Sequence, residues 1–366
     1  MNLADLPTPC LVLDRQILKR NIHAMAGVLG RHGVPLRPHM KTAKSIEVAR
    51  LALEGQPGGI TVSTLAEAEY FAAHGITDIL YAVGITPQKL LQIDKLAAAG
   101  ARIMVVTDDQ DAANAVAAHP TPPRTLIEID CGEGRSGVDA SGEQLLRLAD
   151  TLGPTLAGVM THAGHSYAAR GVAQIAKVAE HERAVATLAA QRLRAAGHEA
   201  PIVSVGSSPT AVHAESLSGV TEVRAGVYMF GDLFQAEIET HSLDGIAVTV
   251  LASVIGRRPG QLVIDAGGLA LSKDRSTEMT PHDYGFGLVL SLDGRRSYGN
   301  NTIVRRAYQE HGVIEIDPSH PMSLRVGDKV RIAPNHTCMT AAAHDRYYVT
   351  DGEQEVVDVW RRVNGW

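Results

Sequence analysis

Eight short apolar runs, at positions 36–39, 59–63, 78–83, 102–106, 125–129, 157–161, 202–205 and 223–225, alternate with alanine- and leucine-rich stretches such as 45–53, 65–74, 88–99 and 172–196. The runs have the length and composition of buried strands, and the stretches between them have helical spacing. Eight strand–helix units within roughly 200 residues match the size and rhythm of a (β/α)8 barrel. The spacing therefore predicts an α/β fold with a TIM-type barrel at its centre.

After about position 240 the rhythm changes. Helical stretches give way to short alternating runs at 247–255, 261–265, 287–292, 312–316, 329–332, 347–350 and 355–360, several separated by turn pairs such as Asp293-Gly294, Gly327-Asp328 and Asp351-Gly352. This pattern predicts a C-terminal all-β domain. Positions 9–14 also alternate like a strand and lead into an amphipathic helix at 15–30. The expected domains are a barrel over 15–240 and a β domain over 241–366, the latter joined by the strand of segment 1–14.

The 366 residues suffice for both domains, and 45% hydrophobic with 20% charged residues describes a packed globular chain. With a net charge of −6 and no basic block, nothing favours nucleic acid or an anionic membrane as partner. No apolar run reaches membrane-spanning length, and the opening Met1 to Pro7 lacks the pattern of a signal peptide, so a cytoplasmic location is expected. Three cysteines, Cys10, Cys131 and Cys338, cannot form a closed disulfide framework and are read singly.

In such barrels the chemistry collects at the C-terminal ends of the strands. Lys41, Ser63, Arg135, His162, Gly206 and Arg224 fall at or just after strand ends, and Lys41 follows the first core strand, where a lysine can hold an aldehyde cofactor. Gly206, Ser207, Ser208 and Thr210 form a small-residue turn after the seventh strand. Backbone N–H groups, hydroxyls and a helix start there suit a phosphate; the alternative is a simple helix cap. Arg135 lies in a glycine-rich loop where it could stabilise a phenolate or carboxylate, or be a surface arginine. His162 is read as facing a cofactor or as packing. Its i,i+3 spacing to His165 could serve a metal only in a helix, which Gly164 argues against. His336 and Cys338, two apart in an expected strand, point to one face and could bind zinc together, or be an exposed histidine beside a core cysteine. Glu310 and His311 precede a strand as a general-base pair or a polar turn.

Taken in order, several segments carry a resemblance: Thr8 to Asp14, Arg37 to Thr42, the loop ending Arg135-Ser136-Gly137, the turn from Gly206 to Thr210, Glu222 to Tyr228, Glu310-His311-Gly312 and His336-Thr337-Cys338. The sequence resembles the fold-type III pyridoxal-phosphate enzymes of the D-serine dehydratase and D-threonine aldolase family, with the 3-hydroxyaspartate dehydratase subgroup the most similar. The resemblance implies an alanine-racemase-like barrel and a homodimer. Lys41 would carry pyridoxal 5'-phosphate as an internal Schiff base, Arg135 would face its phenolic oxygen, and the 206–210 turn with Tyr228 would hold its phosphate. His336 and Cys338 would bind a divalent metal, zinc first with manganese or magnesium as alternatives, beside the β-hydroxyl of a D-amino acid. Family aldolases commonly show aspartate where Cys338 stands, so a dehydratase is expected ahead of an aldolase. A racemase leaves His336 and Cys338 without a role, and a non-enzymatic cofactor carrier leaves the whole β domain without one.

Overall fold

The computed structural model describes residues 1–366. They divide into two compact units, 24–226 with 363–366, and 1–23 with 227–362. The chain begins with β1 (Cys10–Asp14) and α1 (Arg15–His32). It continues through β2 (Leu36–Pro38), α2 (Ile46–Leu53), β3 (Ile60–Val62), α3 (Leu65–Ala73), β4 (Asp78–Gly84), α4 (Leu90–Ala98), β5 (Arg102–Thr107), α5 (Gln110–Ala117) and β6 (Thr125–Ile129). Then come α6 (Glu143–Leu152), β7 (Leu156–Thr161), α7 (Val172–Ala195), β8 (Ile202–Val205), α8 (Ser208–His213) and β9 (Glu222–Ala225).

In the first unit these strands form one parallel sheet in the order β2-β9-β8-β7-β6-β5-β4-β3. Its two ends meet through a bridge between His39 and Thr61, where the Met40 N–H donates to the Thr61 carbonyl at 2.8 Å. The sheet is thus a nearly closed eight-stranded parallel barrel. All eight expected strands are present, displaced by at most a residue or two at their ends. Every residue of β2, β3 and β6 is buried, which explains why these strands read as continuous apolar runs rather than alternating ones.

The second unit holds α9 (Leu233–Glu237), β10 (Val248–Arg258), β11 (Gln261–Ile264), α10 (Gly268–Leu271), β12 (Leu288–Leu290), β13 (Ile303–Ala307), β14 (Gly312–Glu315), β15 (Lys329–Ala333), α11 (Thr337–Ala341), β16 (Arg346–Thr350) and β17 (Val356–Arg361). The sheet order is β11-β14-β13-β12-β15-β10-β1-β16-β17, and β10 also pairs with β11, so six strands close on themselves. Strand β1 lies antiparallel to β10 and parallel to β16. Leu233, Ile246, Tyr284, Leu288, Leu290, Ile303 and Ala333 form one core of this unit.

The compact units differ from the bounds of 15 and 240 expected from sequence. The division at the first end falls inside α1, between His23 and Ala24. Residues 227–240 belong with the β unit because their backbone is tied into it: Leu233 and Phe234 donate to the carbonyls of Pro334 and Asn335, and Ala247 donates to Phe230. No helix is long and apolar enough to cross a membrane.

Candidate active site

The barrel interior is ionic at both ends. Arg37 on β2 bonds Glu222 and Asp78, each at 2.8 Å; these are the first residues of β9 and β4, so Arg37 closes the N-terminal end. Two positions further along β9, Arg224 is 3% exposed and donates to the Ser204 hydroxyl at 2.7 Å and to the Thr161 carbonyl. Thr161 ends β7, so this guanidinium lies toward the C-terminal mouth.

Lys41 is exposed in the turn after β2, and its backbone N–H points to His39 Nδ1 at 3.4 Å. Two histidines near it are held neutral. Burial first, then the positive charges of Lys41 and Arg224 and the neighbouring His162, hold His39 well below the ordinary histidine range. His162 is pushed down to about 3 by burial and by Lys41, although its bond to Gly206 acts the other way. In that bond His162 Nδ1–H donates to the Gly206 carbonyl at 3.0 Å, which leaves Nε2 as an acceptor. Arg135 lies in its glycine-rich loop, 57% exposed, 3.5 Å from Glu133 and 3.9 Å from Glu128. Burial raises the Glu128 carboxyl, and the bond from the Ser136 hydroxyl at 2.8 Å partly offsets this.

The turn after β8 is framed from behind by a residue the sequence reading missed. Glu182, on α7, is 1% exposed; its carboxylate accepts the Gly206 N–H at 2.9 Å and the hydroxyls of Thr210 at 2.9 Å and Thr161 at 3.0 Å. Gly206 has φ +137°, and a Cβ there would stand 2.1 Å from the Arg224 carbonyl oxygen, so only glycine lets the turn pack on β9. Ser207 caps α8 by accepting the Thr210 N–H, and its own N–H donates back to the Thr210 hydroxyl at 3.1 Å. The Gly206 N–H and the Thr210 hydroxyl both donate to Glu182, which fixes the turn. Ser207 and Ser208 stand at the start of α8. The signal for Glu182 was in the sequence, since it falls on the buried face of α7 with Ile175, Ala179, Ala186 and Ala189.

In the β unit, His336 and Cys338 come together, but not on a strand. His336 is the N-cap of α11 and Cys338 lies in its first turn, because Pro334 ends β15 and the chain turns helical. His336 Nδ1 bonds Asp274 Oδ2 at 3.0 Å, and the same ring bonds the Cys338 side chain. Burial lowers the imidazole pKa, but Asp274 and Cys338 outweigh it and raise it to about 11; Asp274 is correspondingly lowered to about 2 despite its own burial. Asp232 lies near the same imidazole and accepts the Thr337 N–H at 3.1 Å.

Tyr228 is fully buried and belongs to the β unit rather than, as expected, to the barrel domain. Glu310 and His311 are exposed at the tip of the β13–β14 hairpin, closed by the Tyr308 N–H to the His311 carbonyl at 2.8 Å. There Gln309 Nε2 donates to Glu310 Oε1 at 3.5 Å.

The residues fit both implied groups. For pyridoxal phosphate, the mouth offers an accessible lysine amine, two uncharged imidazoles and buried Arg224. Two buried polar atoms in the barrel unit, Thr61 Oγ1 and His165 Nδ1, lack any protein partner. For a divalent ion, an imidazole oriented by a carboxylate and touching a thiol is a donor set suited to zinc. No group of three or more His, Cys, Asp or Glu side chains is gathered as a metal cage, so such an ion would rest on two protein ligands.

An alanine-racemase-like barrel with a lysine at its mouth, coupled in one chain to a β unit bearing a His–Cys pair, defines a class of pyridoxal-phosphate enzyme. Residues 13–233 match the model of the alanine racemase N-terminal domain, and residues 247–350 that of the putative serine dehydratase domain. The chain belongs to this family of fold-type III lyases. It is 42% identical to the D-threo-3-hydroxyaspartate dehydratase of Delftia sp. (strain HT23), over 100% of this chain and 99% of that one. The solved structure of that enzyme superposes with a TM-score of 0.96 at 41% identity, covering 100% of both chains. A cysteine-to-alanine mutant of a D-threo-3-hydroxyaspartate dehydratase, solved in its metal-free form, matches with a TM-score of 0.95 at 40% identity, again over 100% of both chains. The D-threonine aldolase of Arthrobacter sp. is 31% identical over 98% of this chain and 92% of that one.

Proposed function

We propose that the chain uses pyridoxal phosphate and a divalent ion, zinc by preference, to dehydrate D-β-hydroxy amino acids, D-threo-3-hydroxyaspartate foremost and D-serine and D-threonine with it, to a 2-oxo acid and ammonia. The observation that carries this reading is the contact of His336 with Cys338, its ring held from behind by Asp274. When bound, the cofactor supplies an electron sink for the Cα bond and the ion a Lewis acid for the β-hydroxyl.

The chain's own groups divide the remaining work. Lys41 would hold the cofactor and, as a free amine, would serve as the base for the Cα proton. His39 and His162 stay uncharged beside it, so neither competes with the lysine for that proton. Arg135 would steady negative charge on the cofactor ring, and the turn of Gly206, Ser207, Ser208 and Thr210, bonded from behind by Glu182, would take its phosphate together with Tyr228. His336 and Cys338 would hold the ion, which would supply a Lewis acid at the β-hydroxyl. Dehydration removes one water and hydrolysis of the product enamine takes one up, so one substrate yields one 2-oxo acid and one ammonia.

The retro-aldol alternative needs a base at the β-hydroxyl rather than an acid. That base would be His311, beside Glu310, or a water on the ion, and the 31% identity to a D-threonine aldolase is what supports this second reading. Replacing Cys338 by alanine tests the dehydratase reading. Loss of bound metal and of ammonia release, with the cofactor's visible absorbance kept, supports it, whereas unchanged turnover removes Cys338 from the mechanism. A homodimer completes the proposal; a light-scattering mass of one chain would refute that part.

A further inference from the structure

Arg331 lies in the middle of β15, 5% exposed, and its guanidinium has one protein partner: Nε donates to the Thr249 hydroxyl at 2.8 Å. Its two terminal amino groups donate to no protein atom, and no carboxylate lies within ion-pairing distance. Burial pulls this arginine down to about 10, against the more distant charges of Asp14 and Asp293. A buried charge left without a pair is costly, and buried donors are nearly always satisfied.

The guanidinium lines a cavity of about 630 Å³ within the β unit. Gly294, at φ +81°, lets a turn close against it; a Cβ there would sit 2.7 Å from Arg331 Nη1. The other charges of the wall are already matched. Arg296 bonds Asp244 at 3.0 Å and Arg295 lies 3.3 Å from Asp293, while Asp14 Oδ1 accepts the N–H groups of Gln16 and Ile17. Ile246, Leu288 and Leu290 supply an apolar side to the same space.

We propose that this cavity binds a small monocarboxylate, its two oxygens taken by the terminal amino groups of Arg331 and its carbon chain laid on the apolar wall. A planar fork of two N–H donors matches a carboxylate in bidentate geometry. Three arginines face three aspartates in the wall, so a single negative charge is accommodated more readily than the two of a phosphate. The cavity has more than enough room for such a ligand, so the Arg331 fork and not the volume sets its chemistry. None of these residues is assigned to the lyase chemistry, so the site stands or falls independently of it.

The test is calorimetric titration of the holoenzyme with propionate and, separately, with inorganic phosphate, on the wild type, Arg331→Lys and Arg331→Met. Saturable propionate binding in the wild type, at least about tenfold weaker in Arg331→Lys and absent in Arg331→Met, with the cofactor absorbance unchanged, is the expected result. Arg331→Lys keeps the buried charge and decides the matter if the methionine variant fails to fold. No saturable propionate binding in the wild type overturns the proposal. Equal affinity in Arg331→Lys does so too, since it puts the ligand elsewhere, and phosphate binding tighter than propionate overturns the carboxylate assignment.

Discussion

Replacing Glu182 by alanine should destabilise the barrel unit more than any single surface change, and the size of the loss follows from what the carboxylate holds. It accepts from Gly206 N–H, the Thr210 hydroxyl and the Thr161 hydroxyl, all buried. Each donor left without an acceptor costs about 1–3 kcal/mol. The Thr210 hydroxyl can turn partly to the Ser207 carbonyl, 3.4 Å away, so the three together amount to about 3–6 kcal/mol. Glu182→Gln keeps the volume and one acceptor oxygen but offers an amide to a second donor, for a loss of about 1–3 kcal/mol. Urea unfolding followed by far-UV ellipticity reports on the helices, which are concentrated in the barrel unit. The expected order of stability is wild type, glutamine, alanine, with cofactor release accelerating in the same order as the turn loosens. An alanine variant within about 1 kcal/mol of the wild type would refute the argument that Glu182 frames the turn.

Three further outcomes test other parts of the site. Lys41→Ala should lack the visible absorbance of bound cofactor, and a borohydride-reducible adduct in that variant would mean another lysine carries it. Asp274→Asn should weaken metal affinity by about 10–100-fold through its hold on His336; zinc binding at wild-type strength would show that the His336–Asp274 bond is incidental. His162, with its pKa near 3 in the folded chain against about 6.5 unfolded, stays neutral where the unfolded chain takes up a proton. Stability is therefore undiminished above about pH 6.5 and falls as pH drops toward 3, by up to about 1.4 kcal/mol per pH unit, with His39 acting in the same direction. Urea midpoints of the cofactor-free protein should fall from pH 7 to pH 5, and less steeply in His162→Gln; an equally steep fall in that variant would rule His162 out.

The barrel was legible because its strands are buried on both faces and its helices carry their own period, two signals that survive without any alignment. Strand β13 escaped notice because a bulge between Val304 and Arg306 breaks the alternation, setting Arg305 and Arg306 side by side in solvent. The His336–Cys338 pair was found through a wrong local geometry. Spacing by two suggested one face of a strand, whereas a five-residue helix too short to show a period brings the side chains together. Asp274 was out of reach, since 62 residues separate it from His336 and only the fold closes that gap. Glu182 and Arg331 are different cases: a charge on the buried face of a helix and one within a buried strand are anomalies visible in sequence, though what each one faces is not.

The central claim is that this site breaks the bond from Cβ to oxygen rather than the bond from Cα to Cβ. Product analysis of the zinc- and pyridoxal-phosphate-loaded protein, given D-threo-3-hydroxyaspartate, D-serine and D-threonine in turn, tests it directly. Ammonia and a 2-oxo acid in equal amounts are the predicted products; glycine and an aldehyde would contradict the account and show that Cys338 does not mark the reaction.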